Sequence, residues 1–340
     1  MSVKLVEITR SGVVESIHRG DVAVVDAKGR IVFQAGDPEK LTFFRSSAKP
    51  IIAVASLESG IAEKFEFGLK EIALMASSHS GEKEHIQVLK TMLKKIGIEG
   101  SNLKCGIKEP TGEEAARELI AEGGSPTELH CNCSGKHIGV IASVLEKGLP
   151  WEDYHKTDHL IQRDIQKVIS DFSGVEAEGI IKGIDGCGIT VYAIPLKNMA
   201  FAYANLCNQE FMQGKYKKSQ NYVLSAMTMY PEMVAGKGRL DTVLMSKFGS
   251  RVVGKFGAEG VYCCGILGRN MGIAVKIEDG NSRAVAPVIL ELLVRLGVVS
   301  ASEMEELEEY WRPAVLNHRG EAVGEYRIAG ESGIKAIIAN

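Results

Sequence analysis

The chain has 340 residues, 45% hydrophobic and 24% charged, enough to bury a substantial core as one large domain or two lobes. A net charge of −3 and a pI near 6.3 offer no basic field to a phosphate backbone, and no helix-turn-helix or RNP-type signal is present, so nucleic acid is not an expected partner. Lys4, Glu7 and Arg10 interrupt the apolar residues of the N-terminus, which excludes a signal-peptide core there. No apolar run approaches the ~18 residues that span a bilayer. The expectation is a cytoplasmic protein without a membrane partner, whose seven cysteines serve as thiols or metal ligands rather than a disulfide framework.

Taken in order, the chain starts with strands. Asp21 to Asp26 is valine-rich, Ala27 to Arg30 is a turn, and Ile31 to Gln34 returns to close a hairpin. The period then changes. A helix is expected from Ser46, ended by Gly60, and apolar positions at Leu69, Ile72 and Ala73, then Ile86, Leu89, Leu93 and Ile96, recur at helical spacing. Further helices are predicted over Glu113 to Ala121, Gly135 to Leu145, His159 to Phe172, Asn221 to Met229 and Leu240 to Phe248, with Gly179 to Leu196 extended between them. Arg251 to Gly254, Gly260 to Ile266 and Met271 to Ile277 suit an antiparallel meander before a last helix, Ala284 to Leu296. Strands at both ends with helices between them predict an α+β fold. It would form one catalytic unit, with a sheet lobe from about residues 1–45 and 250–340 and a mostly helical lobe over about 46–249.

Chemistry concentrates first at Arg45-Ser46-Ser47-Ala48-Lys49-Pro50. Ser46 and Lys49 are three apart, which puts hydroxyl and amine on one face if the helix begins here, so the amine could take the hydroxyl proton. Pro50 is accepted in a first turn, and Ser46 or Ser47 could equally be a plain cap. Ser78 and Ser80 lie in a hydroxyl-rich loop, Ala76 to Glu82, that also reads as a helix cap. Late in the chain, Lys255-Phe256-Gly257 resembles the K-T-G element that accompanies S-x-x-K in serine β-lactamases and penicillin-binding proteins.

A second cluster joins His130 to His137 with the glycine-rich Gly183 to Gly188 loop. Cys133 and His137 lie four apart on one helical face, and Cys187 could complete a thiolate-rich tetrahedral site suited to zinc, although free cysteines also pack as small apolar groups. On chemistry alone His137 is the favoured third ligand, because imidazole is neutral near pH 7 whereas a lysine must first lose a proton.

Six ordered blocks, Phe43 to Pro50, Ser78 to Glu82, Asn132 to His137, Gly183 to Gly188, Val234 to Gly236 with Arg239 to Thr242, and Gly254 to Gly260, together resemble the rhizobial-type, thermolabile L-asparaginase II family. The resemblance covers most of the chain. It implies a fold similar to that of serine β-lactamases and glutaminases, and hydrolysis of L-asparagine to L-aspartate and ammonia. It also implies two Ser-Lys pairs, Ser46 with Lys49 and Ser78 with Lys255. Its zinc site would be Cys133, Lys136 and Cys187, with Asp185 and His137 beside it near the substrate, so that Lys136 rather than His137 is the third ligand. Tyr230, Thr190 and Cys131 depart from the family pattern without replacing a catalytic residue. The expected partners are a small-molecule substrate and a second copy of the chain in a homodimer.

The implied mechanism makes demands on charge. A lysine at its reference pKa of ~10.4 is neutral in about one molecule in 2,500 at pH 7, so a lysine base must be shifted down by roughly 3, worth ~4 kcal/mol. Zwitterionic asparagine also needs an anion for its ammonium and a cation for its carboxylate, with Asp185 and Arg45 the candidates. Other readings are a glutaminase using the same residues, since one methylene discriminates by only ~1 to 3 kcal/mol, and a β-lactamase-like or peptidase activity, disfavoured without an export signal. From a different class comes a zinc- or redox-responsive binding protein in which the serines are caps.

Overall fold

A computed structural model describes residues 1–334. Among these described residues eleven strands form: β1 (Val3–Arg10), β2 (Val13–Asp26), β3 (Ile31–Ala35), β4 (Leu41–Phe43), β5 (Ile181–Ile184), β6 (Thr190–Pro195), β7 (Val252–Gly257), β8 (Val261–Ile266), β9 (Met271–Ile277), β10 (Ala314–Leu316) and β11 (Ala322–Ile328). The larger sheet has eight strands in the order β10-β11-β1-β2-β9-β8-β7, with β3 paired to β2, and its pairings are antiparallel. Strands from both ends of the chain thus share one sheet and the fold is α+β, as expected.

Alternation along the central strands gives this sheet two buried faces. Val22, Val24, Ile273 and Val275 point into one core with the helix Val285–Arg295, while Ala23, Val25 and Ala274 point into the other. The second face is lined with small residues, and there the helix Leu196–Leu206 lies almost on the strands. A Cβ added at Gly272 of β9 would stand 1.8 Å from the Ala200 carbonyl oxygen. Beyond that helix, Lys49–Leu57, Leu69–Met75 and Ser134–Glu146 pack together in the same core.

The helix Leu196–Leu206 is absent from the sequence-based expectation. It is buried nearly all round, from Leu196 and Met199 to Tyr203 and Leu206, so it has no polar stripe for a periodicity argument to detect. The single extended segment expected over Gly179 to Leu196 is instead a hairpin, β5 and β6, joined by β4 into a separate three-stranded sheet. β10 and β11 lie past the last element expected. The helix predicted from Ser46 also differs: Arg45–Ala48 is a 3-10 turn and the α-helix runs Lys49–Leu57 with Pro50 in its first turn. Among the described residues, no helix is long and apolar enough to cross a membrane.

The close approach at Gly272 can be tested. The atoms a methyl would meet are backbone of the facing helix and cannot turn aside, so Gly272→Ala should lower stability by about 1–3 kcal/mol. Urea unfolding would show this as a lower midpoint with unchanged slope, and a loss under ~0.5 kcal/mol would mean that the helix is free to shift.

Candidate active site

The small sheet brings distant residues to one place. β4 leads directly into Arg45, and the turn of the β5–β6 hairpin, closed by Gly188 N donating to Asp185 O at 2.8 Å, carries Asp185 and Cys187. Arg45 Nε reaches Asp185 Oδ1 at 2.9 Å, with both side chains largely covered. Arg45 has a φ of 49°, a left-handed conformation that costs a side-chain-bearing residue about 1–2 kcal/mol and aims it away from the strand. Both candidates for holding the substrate zwitterion are therefore here, paired to one another.

The turn Arg45–Ala48 leaves Ser46 half-buried, and among the described residues its Oγ makes no hydrogen bond. Lys49, three positions on, is 1% exposed. Its amine donates to Ser77 O at 2.5 Å, Ser78 Oγ at 3.0 Å and Asn132 O at 3.2 Å, so the hydroxyl on Lys49 is that of Ser78 rather than Ser46. Two further contacts bring these loops together. A Cβ at Gly135 would be 2.2 Å from Leu74 O, so the helix Ser134–Glu146 starts hard against the end of Leu69–Met75. Ser78 N donates to Val234 O at 2.8 Å, tying the loop to a third segment.

Lys255 sits on edge strand β7 and is fully buried. Its amine donates to Asp241 Oδ2 at 3.1 Å and to Phe256 O at 2.9 Å, not to Ser78. Burial lowers its pKa, Asp241 opposes that, and the nearby Lys49 charge adds to the lowering, which leaves it at about 8. The Ser47 hydroxyl, offered by the sequence only as a cap, donates to Lys255 O at 2.8 Å and latches the strand to the Ser46 turn.

Next to these lies the thiol cluster. Cys133, Cys187 and Asp185 present ligand atoms within 4.8 Å of one another, and Lys136 Nζ is 3.1 Å from Cys187 Sγ. Hydrogen bonds from Cys131 and Cys187 hold the Cys133 thiol well below its ordinary range despite burial, with Lys49 and Lys136 adding positive charge. Hydrogen bonding with Cys105 and then with Cys133 pushes the Cys131 thiol up, and hydrogen bonding with Cys133 together with burial pushes Cys187 up. Burial disfavours charge on Lys136, yet Cys187, Cys133 and Asp185 together outweigh it and raise its pKa. Thiolates bound tetrahedrally to zinc stand about 3.8 Å apart, so this donor set fits the ion the sequence suggested. His137 stands outside the converging group. Its Nδ1 is 2.5 Å from Tyr154 Oη, its Nε2 is buried without a partner, and burial keeps it neutral.

Two residues that sequence reasoning left without a role take part, Asp241 as the partner of Lys255 and Tyr154 as the anchor of His137. Asp241 lies in the first turn of the helix Leu240–Phe248, where an acid reads as ordinary dipole complementation. A cavity of about 400 Å3 lined by Arg239, Asp241, Phe256 and Tyr310 borders the Lys255 pair. A larger one, about 730 Å3, includes Gly81 and His130 and lies behind the Ser78 loop without touching Ser46, Lys49 or Lys255.

No curated protein matches the chain. Among solved structures it is similar to Mglu in its native form in 4.3M NaCl, at 15% identity and a TM-score of 0.38 over 81% of this chain and 60% of that one. It is also similar to an octameric penicillin-binding protein homologue from Pyrococcus abyssi, at 13% identity and a TM-score of 0.35 over 86% and 76%. The chain thus spans about 60% of the length of Mglu, and likenesses this distant carry no argument about it. The family model for L-asparaginase II, in contrast, matches residues 6–328, nearly the whole chain. The chain belongs to the L-asparaginase II family.

Proposed function

We propose that the protein hydrolyses the side-chain amide of L-asparagine to L-aspartate and ammonia by Ser-Lys nucleophilic catalysis. L-asparaginase II is an amidohydrolase family. The observation that carries the reading is the buried Lys49 amine, hydrogen-bonded to Ser78 at 3.0 Å and three positions after Ser46, with Arg45, which precedes Ser46 in the chain, paired to Asp185 at 2.9 Å. For Lys49 to take the hydroxyl proton as Ser46 Oγ attacks the amide carbon, its ammonium must first give up a proton, for which Ser78 Oγ at 3.0 Å is the adjoining relay. Ser78, on the same amine, relays a proton to the departing ammonia, and water then cleaves the acyl ester with the proton path reversed. Lys255, held near 8, keeps an appreciable neutral fraction at neutral pH and serves the second half of this relay. Amides at the start of the Lys49 helix are the proposed oxyanion donors. Asp185 takes the substrate ammonium and Arg45 its carboxylate, exchanging their mutual ion pair for two with substrate.

Cys133, Cys187 and Lys136 would hold zinc, with Asp185 alongside, and a bound ion would clamp the hairpin to the helix start and support substrate binding rather than generate the nucleophile. His137, anchored by Tyr154, offers its free Nε2 to substrate. The seven free cysteines suit a reducing, cytoplasmic compartment. A second reading follows from the observed pairing: Ser78 attacks, with Lys49 as its base.

Ser46→Ala should lose nearly all turnover while remaining folded, and Ser78→Ala should be severely impaired. Mass spectrometry of enzyme quenched during turnover should find the acyl group on Ser46. An acyl group on Ser78, or a Ser46→Ala enzyme with most of its activity, moves the nucleophile to Ser78.

Asparagine should be preferred over glutamine in kcat/KM by at least about tenfold, ~1.4 kcal/mol, as for a pocket one methylene short. Equal or reversed values would make the enzyme a glutaminase.

Lys136→Ala should lower zinc content, whereas His137→Ala should retain the metal and raise KM. Metal analysis of the purified variants decides this. Zinc lost only from His137→Ala would reassign the third ligand, and a metal-free wild type would remove the site.

A further inference from the structure

Lys255 is held in a way that the Ser-Lys pairing does not anticipate. Its charge is fully buried, and the group that compensates it is Asp241, itself 1% exposed. The Asp241 carboxylate makes two kinds of contact. Oδ2 accepts from the Lys255 amine at 3.1 Å, and Oδ1 accepts from the Phe256 backbone N–H at 3.0 Å. Among the described residues β7 is an edge strand paired only with β8, and the Phe256 N–H is met by the carboxylate instead of a ladder partner. Asp241 thereby fixes both the amine and the backbone that carries it, from the rigid first turn of the nine-residue helix Leu240–Phe248.

We propose that Asp241 is a positioning residue for the reaction, holding the Lys255 amine and the β7 edge in place. The proposal rests on the function inferred above and adds to it a third member of the second pair. The other charged and titratable groups around Lys255 and Asp241 cannot replace it. Lys49 and Arg239 are cations, and Tyr203, Tyr262 and Cys263 are buried groups kept neutral at ordinary pH. No second carboxylate lies within ion-pair distance of Lys255 among the described residues. Without Asp241, the amine would face burial and the Lys49 charge unopposed. A carboxylate at this range moves a pKa by about 1 to 3, so the midpoint of Lys255, about 8 in the wild type, should fall below about 7 when the charge is removed.

The test is Asp241→Asn, which keeps the shape and one acceptor for Phe256, with Asp241→Ala as the variant that removes both contacts. Two readouts are needed. The first is the pH dependence of kcat and KM for asparagine. The second is the titration of Lys255 itself by NMR of protein labelled at lysine Cε, its signal identified by loss in Lys255→Arg. For folded Asp241→Asn we expect kcat down about tenfold or more with KM little changed, and the Lys255 midpoint moved toward acid. The kinetic limb near 8 should move with it, whether Lys255 works as acid or as base. A midpoint that stays at about 8, or a kcat that stays at the wild-type value, overturns the proposal. A wild type that does not release ammonia from asparagine removes the proposed function instead, and the NMR midpoint then decides by itself whether the carboxylate holds the amine. Should Asp241→Ala fail to fold, Asp241→Asn alone decides.

Discussion

The Lys49 ammonium is the constraint on which the rest of the site depends. A charge 1% exposed costs several kcal/mol unless its hydrogen-bonding capacity is met, and here all three N–H bonds are used, on Ser77 O, Ser78 Oγ and Asn132 O. Those acceptors come from two loops 55 residues apart, so satisfying one amine closes the loop after Leu69–Met75 onto the start of Ser134–Glu146. The absence of a side chain at Gly135 is what lets the two segments come close enough. Packing and electrostatics therefore require the same arrangement, and neither would hold it alone.

Around that amine, charge is partitioned group by group. Two lysines buried close together cannot both be easily charged; Lys255 is displaced downward and is kept partly protonated by Asp241. On the other side, one thiolate is favoured at Cys133, with the neighbouring thiols raised and the Lys136 ammonium balancing it. Such a site holds both a proton acceptor and fixed positive charge at neutral pH, which acyl transfer with a poor leaving group such as ammonia requires. The Arg45–Asp185 pair closes the free protein's electrostatic account and is the element that a zwitterionic substrate would have to divide.

The two sheets have different tasks. The larger one, covered on both faces, is a rigid platform that presents Lys255 at its open edge. The small one, three strands of which the longest has six residues, is a delivery device, and it places Arg45, Asp185 and Cys187 against groups that the helices supply. Ser47 links the two systems through the Lys255 carbonyl, while Tyr203 donates to Ser47 O from the central helix.

By itself the sequence determined what depends on local spacing. Alternation and turn residues placed the Asp21–Asp26 hairpin and the late meander, helical periodicity placed Leu240–Phe248, and the offset of three between Ser46 and Lys49 drew attention to that turn as a candidate site, because these signals lie within one turn or one strand. The candidate thiols were legible for the same reason, as reactive residue types in glycine-rich loops. The tertiary structure alone decided which groups meet. That Lys49 bonds Ser78, that Asp241 compensates Lys255, and that Asp185 rather than His137 converges with the two cysteines are consequences of contacts between segments 14 to 54 residues apart in sequence. The helix Leu196–Leu206 was hidden because burial on nearly every side removes the polar stripe that would announce it. Hydrogen bonds to buried amines are chosen by what lies within about 3 Å after folding, and no period in the chain encodes that distance.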